Sequence, residues 1–201
     1  MEENSIENAP ITTSLAPKKW YKRAWVKDVL SSIAIIVFII IPFRIFIAQP
    51  YLVDGSSMDP TFKNNEYLIV DQLSYRLGDP KRGDVVIFKY PVNPDQYFIK
   101  RIIGLPGETV ILDNSGTSIK NPATKEILKI EEPYVAYKQT SDTSFTLNEG
   151  EYFVMGDNRG ASSDSRVWGA VPRKNIVGRP FLALYPLDKI KLLPGALSSF
   201  K

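Results

Sequence analysis

The chain has no cysteine and no histidine among its 201 residues. Without cysteine there is no disulfide and no thiolate metal site. Without histidine the usual general base and the commonest metal ligand are both missing, and a Ser-His-Asp triad is excluded. Carboxylates alone remain as charged ligands, so neither a metal centre nor a cofactor is expected. Excess charge is scarce as well. The formal net charge is +3, and it gathers into no broad basic face of the kind that binds nucleic acid. The stretch GDNRG lacks the glycine and lysine spacing of a phosphate loop. If a serine acts as nucleophile here, a lysine, a carboxylate or a terminal amine must take its proton.

Long apolar runs are also few. One stands out, VLSSIAIIVFIIIPFRIFIA at 29–48, close to the ~20 residues that cross a bilayer. It is apolar all round, which separates it from an amphipathic surface helix. Its single charge, Arg44, lies near one end, where a long side chain reaches the headgroups. Pro42 kinks or ends the helix. The uncharged part, 29–43, is short enough for a buried core helix. Pro50 follows Ala48 too closely for a good signal-cleavage context, so an uncleaved anchor is expected. Lys18, Lys19, Lys22, Arg23 and Lys27 precede the run, interleaved with Trp20, Tyr21 and Trp25, whereas 45–62 carries no Lys or Arg. That asymmetry places the N-terminus in the cytoplasm and the rest of the chain across the membrane. The expected organisation is a cytoplasmic tail at 1–24, a transmembrane anchor at 25–48, a catalytic body from 49–112 and 149–193, a variable insertion lobe at 113–148, and a tail at 194–201.

Beyond residue 50 the sequence reads as strands. EYLIVDQL (66–73), DVVIFKY (84–90), YFIKRIIG (97–104), TVILD (109–113) and EYFVMGD (151–157) are short and rich in β-branched or aromatic residues. Glycine, proline and asparagine clusters divide them. The expectation is a mainly β protein, with an antiparallel catalytic core and a small variable β lobe.

Four stretches carry candidate chemistry. In GSSMDPTF (55–62), Gly55 permits a positive φ and Pro60 stiffens the exit, so the turn can present a serine hydroxyl and outward backbone N–H groups. An ordinary serine-rich loop has the same composition. In YFIKRIIGLPGE, Lys100 and Arg101 sit inside an apolar strand. Lys100 shares a face with Phe98 and Ile102, Arg101 with Ile99 and Ile103. One cation must point to the more apolar side, or the strand lies at an edge. A lysine on a sheet rim snorkels, whereas a desolvated one loses its proton far below ~10.4 and becomes a usable base. In MGDNRGASSDSRVWGAVP (155–172), Asp157 and Asp164 are placed to pair with Arg101, Arg159 or Arg166. RGDVVIFKYP (82–91) reads as a turn entering a core strand.

These four blocks, in this order behind an N-terminal anchor, resemble the bacterial type I signal peptidases through most of 20–180. The resemblance implies a membrane-anchored Ser/Lys serine endopeptidase. It would remove signal peptides from exported preproteins after small residues in an Ala-x-Ala-like pattern. It assigns the nucleophile to Ser57, directly before Met58, and the general base to Lys100, with Met58 and Pro60 as supporting residues. It gives Ser162 the task of orienting the lysine, and makes Arg101, Asp157 and Arg166 supporting ion-pair positions. Gly156, Asn158, Arg159, Asp164 and Ser165 complete the matching block. Some members carry a serine two positions before the nucleophile; here that position is Gly55, so the oxyanion rests on backbone N–H groups, that of Ser57 among them. The implied partners are the preprotein signal peptide and the lipid bilayer, with no nucleic acid and no metal. The implied location is a bacterial-type cell membrane, single-pass, with the catalytic domain outside the cytoplasm. Two other readings fit parts of the sequence: a tethered β domain that only binds, and a Ser/Lys protease with a different substrate.

Overall fold

The structure is a computed structural model that describes residues 20–41, 48–136, 142–185 and 190–197. It divides into two compact units, 1–41 and 42–201. In the first, helix α1 (Trp20–Ile35) runs into a π-helical turn, Ile36–Ile40. Its apolar side chains from Val29 to Ile41 are exposed, Phe38 by 78%. Among the described residues no helix is long and apolar enough to cross a membrane. Residues 42–47 of the apolar run lie outside the described residues, and Ala48 opens the first strand.

The second unit is mainly β. Its strands are β1 (Ala48–Leu52), β2 (Tyr67–Asp71), β3 (Val85–Lys89), β4 (Tyr97–Gly104), β5 (Thr109–Asp113), β6 (Gly116–Lys120), β7 (Ile127–Lys129), β8 (Thr143–Thr146), β9 (Glu151–Met155), β10 (Val171–Pro172), β11 (Ile176–Tyr185) and β12 (Lys191–Leu192). The larger sheet has the order β1-β2-β11-β3-β4-β9-β10, with β12 on β11. The smaller has the order β7-β6-β5-β8. Every pairing is antiparallel. Two one-turn helices, α2 (Ser74–Leu77) and α3 (Ser165–Trp168), sit in the connections. The strand TVILD, expected in the catalytic body, pairs with β6 and β8 of the smaller sheet.

Among the described residues three apolar clusters hold this unit together. Val86, Phe88, Ile102 and Val154 lie in one, packed against Trp168. Ile103, Phe153 and Met155 of the larger sheet meet Val110, Leu112 and Ile119 of the smaller in a second, which joins the two sheets. Val53, Met58, Phe62, Leu68 and Val85 form a third beneath the 55–62 turn. Burying each such side chain contributes about 1.5–3 kcal/mol. β4 serves all three clusters, through Ile102, Ile103 and Ile99 in turn.

β1 and the first half of β4 each keep one edge open. Among the described residues β1 ends the larger sheet and pairs with β2 alone. β9 pairs with Arg101, Ile102 and Gly104 of β4, whereas Tyr97–Lys100 pair with β3 alone. Both open edges border one cleft.

Candidate active site

The 55–62 turn is tied down from several sides. Gly55 has φ +95°, and its N–H donates to Asn64 Oδ1 at 2.8 Å. Asp59 N–H donates to Ser56 O at 3.1 Å and Phe62 N–H to Met58 O at 2.9 Å. Met58 is buried in the cluster below the turn, while Pro60 is exposed. From the loop after β9, Asn158 N–H donates to Ser57 O at 3.1 Å, and Asn158 Nδ2 donates to Ser56 O at 3.2 Å. The Ser57 N–H takes no part in these bonds. The backbone approach is close: a side-chain carbon on Gly156 would fall 2.4 Å from Ser57 O and 2.3 Å from Ser162 Oγ.

Lys100 meets this turn. Its Nζ lies 2.8 Å from Ser57 Oγ and donates to Ile99 O at 2.9 Å. It sits 5.4 Å from the centre of the Phe98 ring. The side chain is buried, with only 4% of the residue exposed. That burial lowers its pKa from 10.5 to about 8, against the opposing pull of Asp164 and Asp157. The amine therefore gives up its proton at about pH 8, well below the usual lysine range, while in hydrogen-bond contact with a hydroxyl. The geometry permits proton transfer between the two.

Arg101, the next residue, is buried too. Its guanidinium forks onto Asp157, with Nε to Oδ1 at 2.9 Å and Nη2 to Oδ2 at 2.7 Å. Asp157 also accepts from Thr61 Oγ1 at 2.5 Å, which links the ion pair to the serine turn. Arg166 forks onto Asp164 in the same way, at 2.7 and 2.8 Å. Burial opposes ionisation of Asp164, but Arg166 and the Gly156 N–H outweigh it and hold the carboxyl below its usual range. Arg159 takes a partner the sequence did not suggest. It pairs with Glu132, which follows β7 of the smaller sheet. Glu132 stands in a polar stretch with no motif around it, so it carries no signal of its own. Tyr134, two residues on, lays its ring 4.1 Å from the Arg101 guanidinium carbon.

Ser162 is the exception among the expected site residues. Its Oγ is buried and meets Asp164, whose carboxyl it helps to hold down, only outside good hydrogen-bond geometry, and the hydrogen bonds of Lys100 run to Ser57 and Ile99 instead. No group of His, Cys, Asp and Glu among the described residues could hold a metal ion.

A cleft of about 700 Å³ opens beside the Ser57–Lys100 pair. Tyr51–Val53 form one wall and Tyr97–Ile99 the other, with Leu68 and Ile87 at its lining. The Tyr51 and Tyr97 rings meet at 5.4 Å.

Residues 24–185 match the family model described as signal peptidase, peptidase S26. The class of protein is thereby a serine endopeptidase. Signal peptidase I P of Bacillus subtilis subsp. natto is 38% identical over 175 residues, 83% of this chain and 91% of that one. A probable signal peptidase I-2 of Synechocystis sp. is 36% identical over 162 residues, 78% and 72% of the two chains. A crystal structure of a signal peptidase I from Enterococcus faecalis V583 is 34% identical and covers 51% of this chain and 97% of that one, with a TM-score of 0.43. The chain belongs to the signal peptidase family, peptidase S26.

Proposed function

We propose that the chain is a membrane-anchored signal peptidase in which Ser57 is the nucleophile and Lys100 the general base. The observation that carries this reading is the 2.8 Å contact between a buried lysine amine and a serine hydroxyl on an open cleft. Neutral Lys100 takes the Ser57 proton as the hydroxyl attacks the carbonyl before the scissile bond. The Ser57 N–H stabilises the developing oxyanion, a contact typically worth about 3–4 kcal/mol. The intermediate collapses with cleavage of the scissile C–N bond as Lys100 gives that proton to the leaving amine, and the acyl-enzyme is then released by water activated by the same, again neutral, lysine.

The preprotein lies as an added extended strand between the open edges of β1 and of Tyr97–Lys100. Alternate side chains then drop against Val53, Leu68, Ile87 and Ile99, where bulk clashes, and this favours small residues on either side of one that points outward. Ser162, whose buried hydroxyl lies next to the turn, is the group in place to steady the lysine once substrate is bound. The larger sheet carries the catalytic body, and the smaller sheet, β5 to β8, is its variable lobe.

The apolar run from Val29 up to β1 is the anchor, with the cations of 18–27 on the cytoplasmic side of a bacterial-type cell membrane and the catalytic domain on the other. The exposed apolar side chains from Val29 to Ile41 support that reading. Cleavage of a preprotein with an Ala-x-Ala-like site in detergent, with Ser57→Ala as control, tests the whole. Ser57-dependent cleavage is expected; cleavage that survives Ser57→Ala would overturn the assignment. A non-catalytic binding domain would tolerate the loss of either residue of the pair.

A further inference from the structure

The Arg101 side chain has a donor pair that the Asp157 contact leaves over. Its Nη1 donates to two backbone carbonyls, Gly83 O at 2.8 Å and Gly195 O at 2.8 Å. The second acceptor is unexpected. Gly195 lies in the stretch read from sequence as a tail, and beyond 24–185, the residues matched to the family.

The segment that carries Gly195 is built into the catalytic unit. β12 pairs with Leu182 and Ala183 of β11. Leu193 N–H donates to Phe181 O at 2.8 Å, and Ala196 N–H closes a turn onto Leu193 O at 3.2 Å. Gly195 has φ +78°, and a side-chain carbon there would lie 2.9 Å from Val85 Cγ2 and 3.0 Å from Phe62 Cε2. Both neighbours belong to the cluster under the serine turn. The backbone is thus pressed against the floor of the site, with its carbonyl aimed at Arg101.

We propose that the segment Lys191–Ala196 is a clasp that positions the catalytic pair, acting through Arg101. The inference rests on the Ser57/Lys100 reading. A guanidinium that is 1% exposed has no water to replace a lost acceptor, and an unsatisfied donor on a buried charge is costly. Removing the Gly195 carbonyl therefore shifts Arg101 or admits water. Either outcome loosens the fork on Asp157 and displaces Lys100, the adjoining residue of β4. The charged groups facing Lys100 are Asp157 and Asp164, now balanced by Arg101 and Arg166. Once Arg101 moves, Asp157 acts on the amine less opposed, so the amine holds its proton to higher pH.

The test compares the full chain with one ended after Leu197, which keeps the clasp, and one ended after Pro194, which keeps β12 but lacks the Gly195 carbonyl that reaches Arg101. Preprotein cleavage is measured against pH in detergent, alongside thermal unfolding. The chain ended at Leu197 is expected to match the full chain. The chain ended at Pro194 is expected to lose about tenfold or more in kcat, as small misplacements of reacting groups do, with KM little changed and the acid limb displaced to higher pH. A merely structural segment would lower the unfolding temperature while kcat per folded molecule and the pH profile stay put, and that result overturns the proposal. Should the shorter chain fail to fold, Gly195→Ala in the full chain decides, because a side chain at this positive φ strains the backbone that holds the carbonyl and crowds Val85 and Phe62. An unchanged profile there also overturns it. Failure of the underlying reading shows separately, as cleavage by the unaltered chain that does not depend on Ser57.

Discussion

Lys100 and Arg101 are consecutive in β4, both are buried, and they meet opposite partners. Lys100 touches a neutral hydroxyl, Ser57, at 2.8 Å, while Arg101 is answered by the Asp157 carboxylate at 2.7 Å. Strand alternation sends them to different faces, so one strand delivers a cation kept weak by burial and a cation kept charged by pairing. The strand puzzle posed by two adjacent cations in an apolar run is resolved by burying both, each with its own acceptors.

Ser57→Ala and Lys100→Met are each expected to abolish preprotein cleavage while the domain stays folded. Lys100→Arg should fail as well, since a guanidinium does not deprotonate in this range. Rates with a purified preprotein, together with circular dichroism of each variant, check this.

Lys100→Met is expected to gain stability as it loses activity. The pKa of Lys100 falls from 10.5 to about 8 on folding, so below pH 8 the folded state carries a buried charge that the unfolded chain solvates freely. That penalty is present in full at pH 7 and is relieved as pH rises from about 8 to 10.5. It corresponds to about 3 kcal/mol. Denaturant unfolding at pH 7 should show the variant more stable than the parent by up to that amount, with the gap closing toward pH 10.

Breaking the Arg101–Asp157 pair from one side should destabilise strongly. Asp157→Ala leaves a guanidinium buried without its anion, at a cost of about 3–5 kcal/mol. A double-mutant cycle with Arg101→Met is expected to show a large coupling between the two. Urea midpoints of the four proteins give the number.

Glu132→Ala is expected to loosen the smaller sheet from the site. It removes the carboxylate that holds the buried Arg159, and a hydrogen bond to a charged group contributes about 1.5–3 kcal/mol. Hydrogen exchange should rise in 116–132 before it rises in β4.

How much of this was legible in the sequence depended on whether side chains carried the information. β4 and β5 were readable to the residue, because β-branched runs ended at proline, glycine and asparagine turns. β11 was not: Gly178 and Pro180 break its pattern, and Pro180 is accommodated at a register shift on β2. β1 was hidden at the end of the apolar run, with Pro50 tolerated on an edge strand. Within the site, Ser57, Lys100, Asp157 and Arg166 stood in recognisable blocks. Glu132 had no block around it. Gly195 acts through a backbone carbonyl, which any residue supplies, so no sequence pattern could have marked it.

The pH dependence of kcat/KM for preprotein cleavage tests the central claim most directly, because it reports the essential base of the free enzyme. The Ser57/Lys100 account predicts a single acid limb with its midpoint near pH 8, the value burial gives Lys100, and no activity at any pH in Lys100→Met. A limb centred in the carboxylate range near ~4, or a profile that Lys100→Met leaves in place, would contradict it.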